Sequence, residues 1–360
     1  MRSLKLLWLL YPGLFLLGSC STPEKPVTTE EAREFAHQLE LSIGKRDPSF
    51  MNDAIDIDEV IKRAGINNSN NGRAFGSGLK QSASMGNRIT EGITEEGTYQ
   101  LVKPYEKEGK QHLIFRLYDD GGINYHDIEL KKKKGVVKIA DVYIYATGEA
   151  LSATIKNLYE QLSGMEDKLT KDKNWVSSLT EIREKLNKGK NKEAYDLFME
   201  IPAEARTSKI FRIIKVQICT GMSDELHQQS VEELLAAFPN EPDMQLMLID
   251  AYFMRKEYDK ALGAVNAIDK MINKDPFLDY YRYLCYNVMQ QPEKAREHLI
   301  KVTKAYKDFP DARLELIVTY LDEKKYDSAR IAVSEFRAKK TFPQEKLEKI
   351  LSVYPDFSSE

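Results

Sequence analysis

The C-terminal half of this chain repeats itself every 34 residues, and that period constrains the fold more than any other feature. Tyr252, Tyr286 and Tyr320 stand 34 apart, as do Ala261, Ala295 and Ala329, and Pro242, Pro276 and Pro310. A fixed period of this length means a stack of identical supersecondary units, none of which buries its apolar face alone. Between each Tyr and the following Ala lies a polar, turn-like stretch such as Arg255-Lys256-Glu257-Tyr258-Asp259. Apolar residues on either side keep helical spacing, as in Leu246, Ile249 and Phe253, then Leu262, Val265 and Ile268. Each unit is therefore expected to be a helix, a tight turn and a second helix. The small Ala marks the close crossing of the two helices, and the Tyr is the wedge that faces it.

The pattern extends backwards less regularly. Ala194 follows a turn-like Gly189-Lys190-Asn191, with Trp175 opening its unit, and a degenerate unit begins near Arg206. Residues 175–343 hold close to five units of 34, and 344–354 keep helical spacing as a capping helix before the tail that ends at 360. The Tyr/Ala pairs and their period resemble the tetratricopeptide repeat family. Departures are Gln245, Asp279 and Arg313 where that family places an aromatic residue, and Ile249, Tyr283 and Ile317 where it places a small one. The resemblance implies a superhelix whose inner wall is lined by the first helix of each unit. The wall positions map onto Leu246, Asp250, Phe253, Phe277, Tyr280, Leu284 and Asn287, then Leu314, Val318 and Leu321. Such an apolar strip either receives a partner peptide or helix, or is covered by a neighbouring segment of the chain. Lys and Asn, which grip a terminal carboxylate in some family members, are absent at Leu246, Asp250, Tyr280 and Leu284, which disfavours that ligand. Cys219 and Cys285 fall two units apart, too far for a disulfide, and are expected to be buried thiols.

The preceding segment reads as a small α+β domain over 29–149, so the fold class is helices and a four-stranded antiparallel sheet followed by an all-α solenoid. Ala32, Phe35, Ala36, Leu39 and Ile43 have helical spacing, and a weaker helix is expected over 79–89. The period then drops to two over 98–105, 111–118, 123–130 and 136–145, with turn chemistry between. A connecting helix follows within 150–174. Helices first and a curled sheet after resemble the NTF2-like, cystatin-like folds, and the resemblance implies a pocket between the two layers. Asp141, Tyr143 and Tyr145 share one face of the last strand beside Tyr125 and His126. An Asp against a Tyr is either a general base in that pocket, or part of a solvent face or of a contact between domains. Gly72 to Lys80 is glycine-rich without phosphate-loop spacing and reads as a loop, and Lys131 to Lys134 reads as a solvated hairpin tip able to meet anionic lipid.

Residues 1–20 are an address. Arg2 and Lys5 precede a twelve-residue apolar stretch, 6–17, which is shorter than the ~20 residues that span a bilayer. Leu17-Gly18-Ser19-Cys20 resembles the bacterial lipobox, which implies acylation of Cys20 as a firm anchor. By the same resemblance Ser21 after it implies an outer membrane location, facing the periplasm, and 21–30 reads as a polar tether.

A net charge of −3 excludes a strong electrostatic pull on nucleic acid, and three cysteines exclude a disulfide scaffold. No metal, cofactor or nucleophile motif is present in the sequence. The chain reads as a lipid-anchored, non-enzymatic scaffold for another envelope protein or peptide. The alternatives are ligand binding or catalysis in the α+β pocket, and an accessory role in outer-membrane assembly.

Overall fold

The computed structural model describes residues 24–66, 69–82, 84–94, 97–119, 122–164, 175–238 and 244–358. The apolar address, Cys20, the start of the tether and Pro242 lie outside the described residues. Among those described, no helix is long and apolar enough to cross a membrane.

Helix α1 (Thr29–Gly44) starts at a capping box, in which Thr28 Oγ1 accepts from the Glu31 amide at 3.2 Å and the Glu31 carboxylate accepts from the Thr28 amide at 2.8 Å. Its five buried residues are Ala32, Phe35, Ala36, Leu39 and Ile43. Short helices α2 (Ser49–Ala54) and α3 (Ile57–Arg63) follow. The glycine-rich stretch is not a loop: it is helix α4 (Asn70–Ser82), and α5 (Met85–Gly92) is a separate helix after it. Glycine costs a helix ~1 kcal/mol per residue, but Phe75 and Leu79 pack into a cluster with Val60, Ala64 and Ile155, and that burial offsets the cost.

The sheet has five strands rather than four. They run β1 (Thr98–Lys107), β2 (Lys110–Asp119), β3 (Gly122–Lys133), β4 (Val136–Ile144) and β5 (Glu149–Ala150), paired in chain order and antiparallel throughout. The two-residue β5 is too short to show an alternation in sequence. Two-residue turns at Glu108-Gly109 and Lys134-Gly135, with all four φ angles positive, set the first and third hairpins. The lysine run is not a free tip. Lys131 pairs with Asp56 and Glu59, Lys132 with Glu31 and Lys133 with Asp56 and Asp58, so three of its four charges are met within the domain.

After α6 (Leu151–Gly164), five helical hairpins follow among the described residues. They are α7 (Trp175–Asn187) with α8 (Asn191–Met199), α9 (Lys209–Thr220) with α10 (Asp224–Ala237), and α11 (Gln245–Met254) with α12 (Tyr258–Met271). Then come α13 (Leu278–Val288) with α14 (Pro292–Ala305), and α15 (Pro310–Asp322) with α16 (Tyr326–Arg337). The repeated Tyr is the residue whose carbonyl closes each first helix. Glu257, Gln291 and Lys325 donate their amides back to Tyr252, Tyr286 and Tyr320 at 2.8, 2.9 and 2.8 Å, and the residue between, Lys256, Gln290 or Lys324, takes φ of 58, 55 or 56°. This is the Schellman turn, recurring at the sequence period. Ala194, Ala261, Ala295 and Ala329 are all buried at the helix crossings. Helix α17 (Gln344–Leu351) covers the last unit with Leu347 and Leu351, and α18 (Pro355–Ser358) ends the described chain. Cys219 and Cys285 are buried and free.

Candidate functional site: the seam between sheet and repeats

Strand alternation sends the sheet's side chains to two different neighbours. Leu113, Phe115, Ile128, Leu130 and Val142 join Phe35, Leu39 and Met51 in one apolar core under the helices. Ile114 and Tyr125, from the opposite face, join Leu246, Ile249, Val265, Ile268 and Leu278 of the third and fourth hairpins. The expected open strip is therefore closed here: of the two alternatives, covering by the chain itself holds. Leu246 is 7% exposed and Phe253 half-buried in the cluster with the sheet. Phe277 is buried under Tyr118, ring centroids 4.8 Å apart, and Tyr280 and Leu284 are half-buried in the same cluster. Of the seven wall positions from Leu246 to Asn287, Asp250 and Asn287 remain exposed.

A charged latch crosses this apolar seam. Arg116 of β2 donates through Nη1 to Asp275 Oδ2 at 2.7 Å and Oδ1 at 3.0 Å, and through Nη2 to Gln100 at 2.7 Å. Asp275, in the connection between α12 and α13, also accepts from Tyr125 at 3.0 Å, Tyr306 at 2.6 Å and the Phe277 amide at 3.0 Å. The guanidinium lies over the rings of Phe277 and Tyr306, 4.1 and 4.6 Å from their centroids. Both charges are 1% exposed. Burial works against the charged guanidinium, but Asp275 and the flanking tyrosines more than offset it, so Arg116 holds its proton more tightly than usual. Burial pushes the Tyr306 phenol up to about 12.

Beyond the covered zone the same sheet face opens into a polar recess edged by Met271 of α12. Asp127 takes the Tyr105 hydroxyl on one oxygen and His112 Nδ1 at 2.9 Å on the other. Burial, then Asp127 itself, push the Tyr105 phenol well above its ordinary value. Glu129 is held to about 2 by the paired bonds of Arg63, at 2.7 and 2.9 Å, and by Lys110 at 2.9 Å. Asp141 accepts from the Ser152 amide at 3.1 Å and from its hydroxyl at 2.5 Å.

Of the residues expected to line a pocket between helices and sheet, Asp141, Tyr143 and Tyr145 instead line this recess on the repeat-facing side. Tyr125 lies under the repeats. His126 points the other way, bonded to Tyr99 at 3.1 Å, and burial lowers it to about 4. Asp141 bonded to Ser152 and salt-bridged to Arg63 is a structural carboxylate rather than a free base. Arg116, Asp275, His112 and Asp127 were not foreseen. The available signal was Arg116 itself, one charge inside the apolar run Leu113 to Tyr118. Among the described residues no cluster of His, Cys, Asp and Glu fits a metal ion.

The tetratricopeptide repeat family matches residues 228–276, which run from α10 to the latch. Together with the five hairpins and their recurring turn, this makes the C-terminal region a stack of tetratricopeptide-like helical repeats. No curated protein matches the chain. Similar solved structures include two that each share 16% identity with this chain. A MamA fragment (41 to the end) from Desulfovibrio magneticus RS-1 aligns over 46% of this chain and 93% of its own, TM-score 0.37. A thermophilic TPR protein in Thermus thermophilus aligns over 52% and 100%, TM-score 0.36.

Proposed function

We propose that the chain is an interaction scaffold of a bacterial envelope, tethered through acylated Cys20 and holding another envelope protein or peptide on its repeat region. The observation that carries this reading is the stack of five hairpins, which keeps large apolar side chains uncovered, Ile331 at 64% and Val288 at 43%, although its inner wall is partly closed by the sheet. The latch fits the same reading, because a sheet clamped to the third and fourth hairpins stiffens the array into one platform. The Leu-Gly-Ser-Cys sequence after a short apolar stretch supports the tether, and Ser21 supports the outer membrane. Asp250 and Asn287 are the inner-wall positions still open to a partner.

The test is made in the native membrane. A photo-cross-linking residue is placed singly at Asn287 and at Ile331, and a labelled fatty acid is fed to cells carrying wild type or Cys20→Ala. The scaffold reading expects a discrete cross-linked species from at least one position and is overturned by none from either. The tether expects label in wild type only, and unlabelled wild type removes it.

A second reading, small-ligand binding, is favoured by the recess in which Asp127 bridges Tyr105 and His112. Its carboxylates already have protein partners, so it ranks below the first.

A further inference from the structure

The fourth and fifth hairpins carry a trough that the scaffold reading leaves without an occupant. Helix α15 packs against both α14 and α16 and holds these two second helices apart, and the space between them is about 810 Å³. Its floor is apolar, made by Ile300, Leu316, Tyr320 and Ala332, and Ile331 stands 64% exposed at its side. It faces away from the seam. Asp311, which takes the Tyr118 hydroxyl from the sheet, lies on the opposite side of α15 from Leu316 and Tyr320 at helical spacing. The sheet therefore covers one side of this hairpin and leaves the other bare.

The rim is mostly basic. Lys304, Lys307, Arg313 and Lys339 line the trough, and Glu335 is its only carboxylate. Arg313 is tied to Glu335 and Lys339 to Asp308, whereas Lys304 and Lys307 are exposed and form no ion pair among the described residues. This stands against a chain whose net charge is −3. The other large open groove, between α1, α2 and β4, has the reverse balance, with Glu30, Glu34, Asp47 and Asp53 among its lining residues. An apolar floor needs apolar side chains on one stripe of its occupant, and two unpaired lysines beside it need carboxylates flanking that stripe. The walls are helices of 14 and 12 residues, about 21 and 18 Å long, which accommodates three turns of a third helix.

We infer that the trough between α14 and α16 docks an acidic amphipathic helix of a partner protein, with aliphatic residues at i, i+4 and i+7 on Leu316, Tyr320 and Ile331 and Glu or Asp on Lys304 and Lys307. The inference rests on the scaffold reading and names the chemistry of its partner.

Two fluorescent 14-residue peptides with the same leucine stripe, one with Glu and one with Lys at the flanking positions, are titrated against the full chain by anisotropy. The Glu peptide is expected to bind saturably and about tenfold or more tighter than the Lys peptide. Lys304→Glu with Lys307→Glu should reverse that preference, and Ile331→Asp should weaken both peptides. All three side chains are exposed, so the thermal midpoint is the control and should stay within the small range of surface changes. Should a variant lower the midpoint, Ile331→Ser and Lys304→Gln with Lys307→Gln replace it and should weaken the Glu peptide in the same direction. Equal binding of the two peptides overturns the inference, as does Glu-peptide binding that every variant leaves intact. Displacement of the Glu peptide by a single-stranded oligonucleotide points to a nucleic-acid surface and also overturns it. So does a wild-type dimer that Ile331→Asp dissolves, which gives the trough to a second copy. Cross-links from Asn287 that persist when the Glu peptide fails leave the scaffold standing and sink only this inference.

Discussion

The two faces of the one sheet are buried by different means. Against α1 and α2 the buried contact is apolar, with Leu113, Phe115 and Ile128 meeting Phe35, Leu39 and Met51, and the polar contacts beside it, Lys132 to Glu31 and the Leu101 amide to Glu40, are only partly buried. Against the repeats the apolar contact surrounds a fully buried ion pair, itself hydrogen-bonded to Gln100, Tyr125, Tyr306 and the Phe277 amide. Hydrophobic burial is non-directional, so the first face tolerates small shifts of helix over sheet. The second does not, because Arg116 finds its partner only when β2 lies over the connection between α12 and α13. A buried pair returns little net stability over an apolar substitute, and the expected gain is registry: which hairpin sits on which strand. The comparison explains why the sheet can close part of the repeat wall without being covalently near it. Arg116 and Asp275 are 159 residues apart in the chain.

The largest expected effect comes from the latch. Asp275→Leu strands the guanidinium, two phenols and one amide at once, and should cost about 5 kcal/mol in denaturant unfolding. Arg116→Met leaves Asp275 with three donors and should cost about half as much, again by denaturant titration. Equal losses would mean that the carboxylate is not the hub. On the other face, Leu39→Ala removes a fully buried side chain and should cost about 3 kcal/mol. Hydrogen exchange separates the two faces. Asp275→Leu should speed exchange in α12 and α13 while α1 stays protected, and Leu39→Ala should do the reverse. If either variant loosens both regions together, the seam and the core are one cooperative unit and the contrast fails.

What the amino-acid order showed of all this follows from what is local. The hairpins were legible because each helix crossing needs a small residue and each turn a polar stretch a few positions before it, and 34 residues later the need recurs. The strands were legible by alternation and turn chemistry. The seam was not, since Leu113 to Tyr118 is almost continuously apolar. Such a run says that both faces are covered without saying by what. Helix α4 was hidden by its glycines, whose cost is outweighed by contacts to α3 and α6 that no window of sequence contains. The lysine run was misread for the same reason: Asp56, Glu59 and Glu31 are distant in the chain and adjacent in space.

Two carboxylates on either side of the seam should respond to pH with opposite signs. Glu129 sits in the recess at about 2, below the unfolded value, so its contribution is full above the ordinary carboxylate range and is lost as pH falls toward 2. The lead of wild type over Glu129→Gln in denaturant midpoint should be widest near neutrality and close in acid. Loss of water around the Asp250 carboxyl raises it toward about 6, an effect that the residue's exposure at the repeat wall reduces. The folded chain then binds its proton more readily than the unfolded chain, so stability falls as pH rises from about 4 to about 6. Asp250→Asn should lead wild type at pH 7 and match it at about pH 4. A constant offset at all pH values in either variant would remove the electrostatic account.

The smallest effect separates the repeat scaffold from the seam altogether. Lys324 occupies the left-handed position of the fifth hairpin at φ 56°, where a side chain is strained by about 1–2 kcal/mol and glycine is not. Part of that gain is returned through the greater freedom of glycine in the unfolded chain, so Lys324→Gly should stabilise by about 1 kcal/mol or less. Lys256 and Gln290 hold the same position in the third and fourth hairpins, with φ of 58 and 55°, and the same exchange should act there alike. The three turns differ in one respect: the third and fourth hairpins are clamped by the sheet, whereas the fifth meets Tyr118 at its start, through Asp311 and Phe309. If the repeats behave as a linear array with local stabilities, Lys324→Gly should slow exchange of α15 and α16 amides without changing those of β2. The same substitution at Lys256 should protect β2 as well. Protection of β2 in both variants would show that the clamp extends to the end of the array.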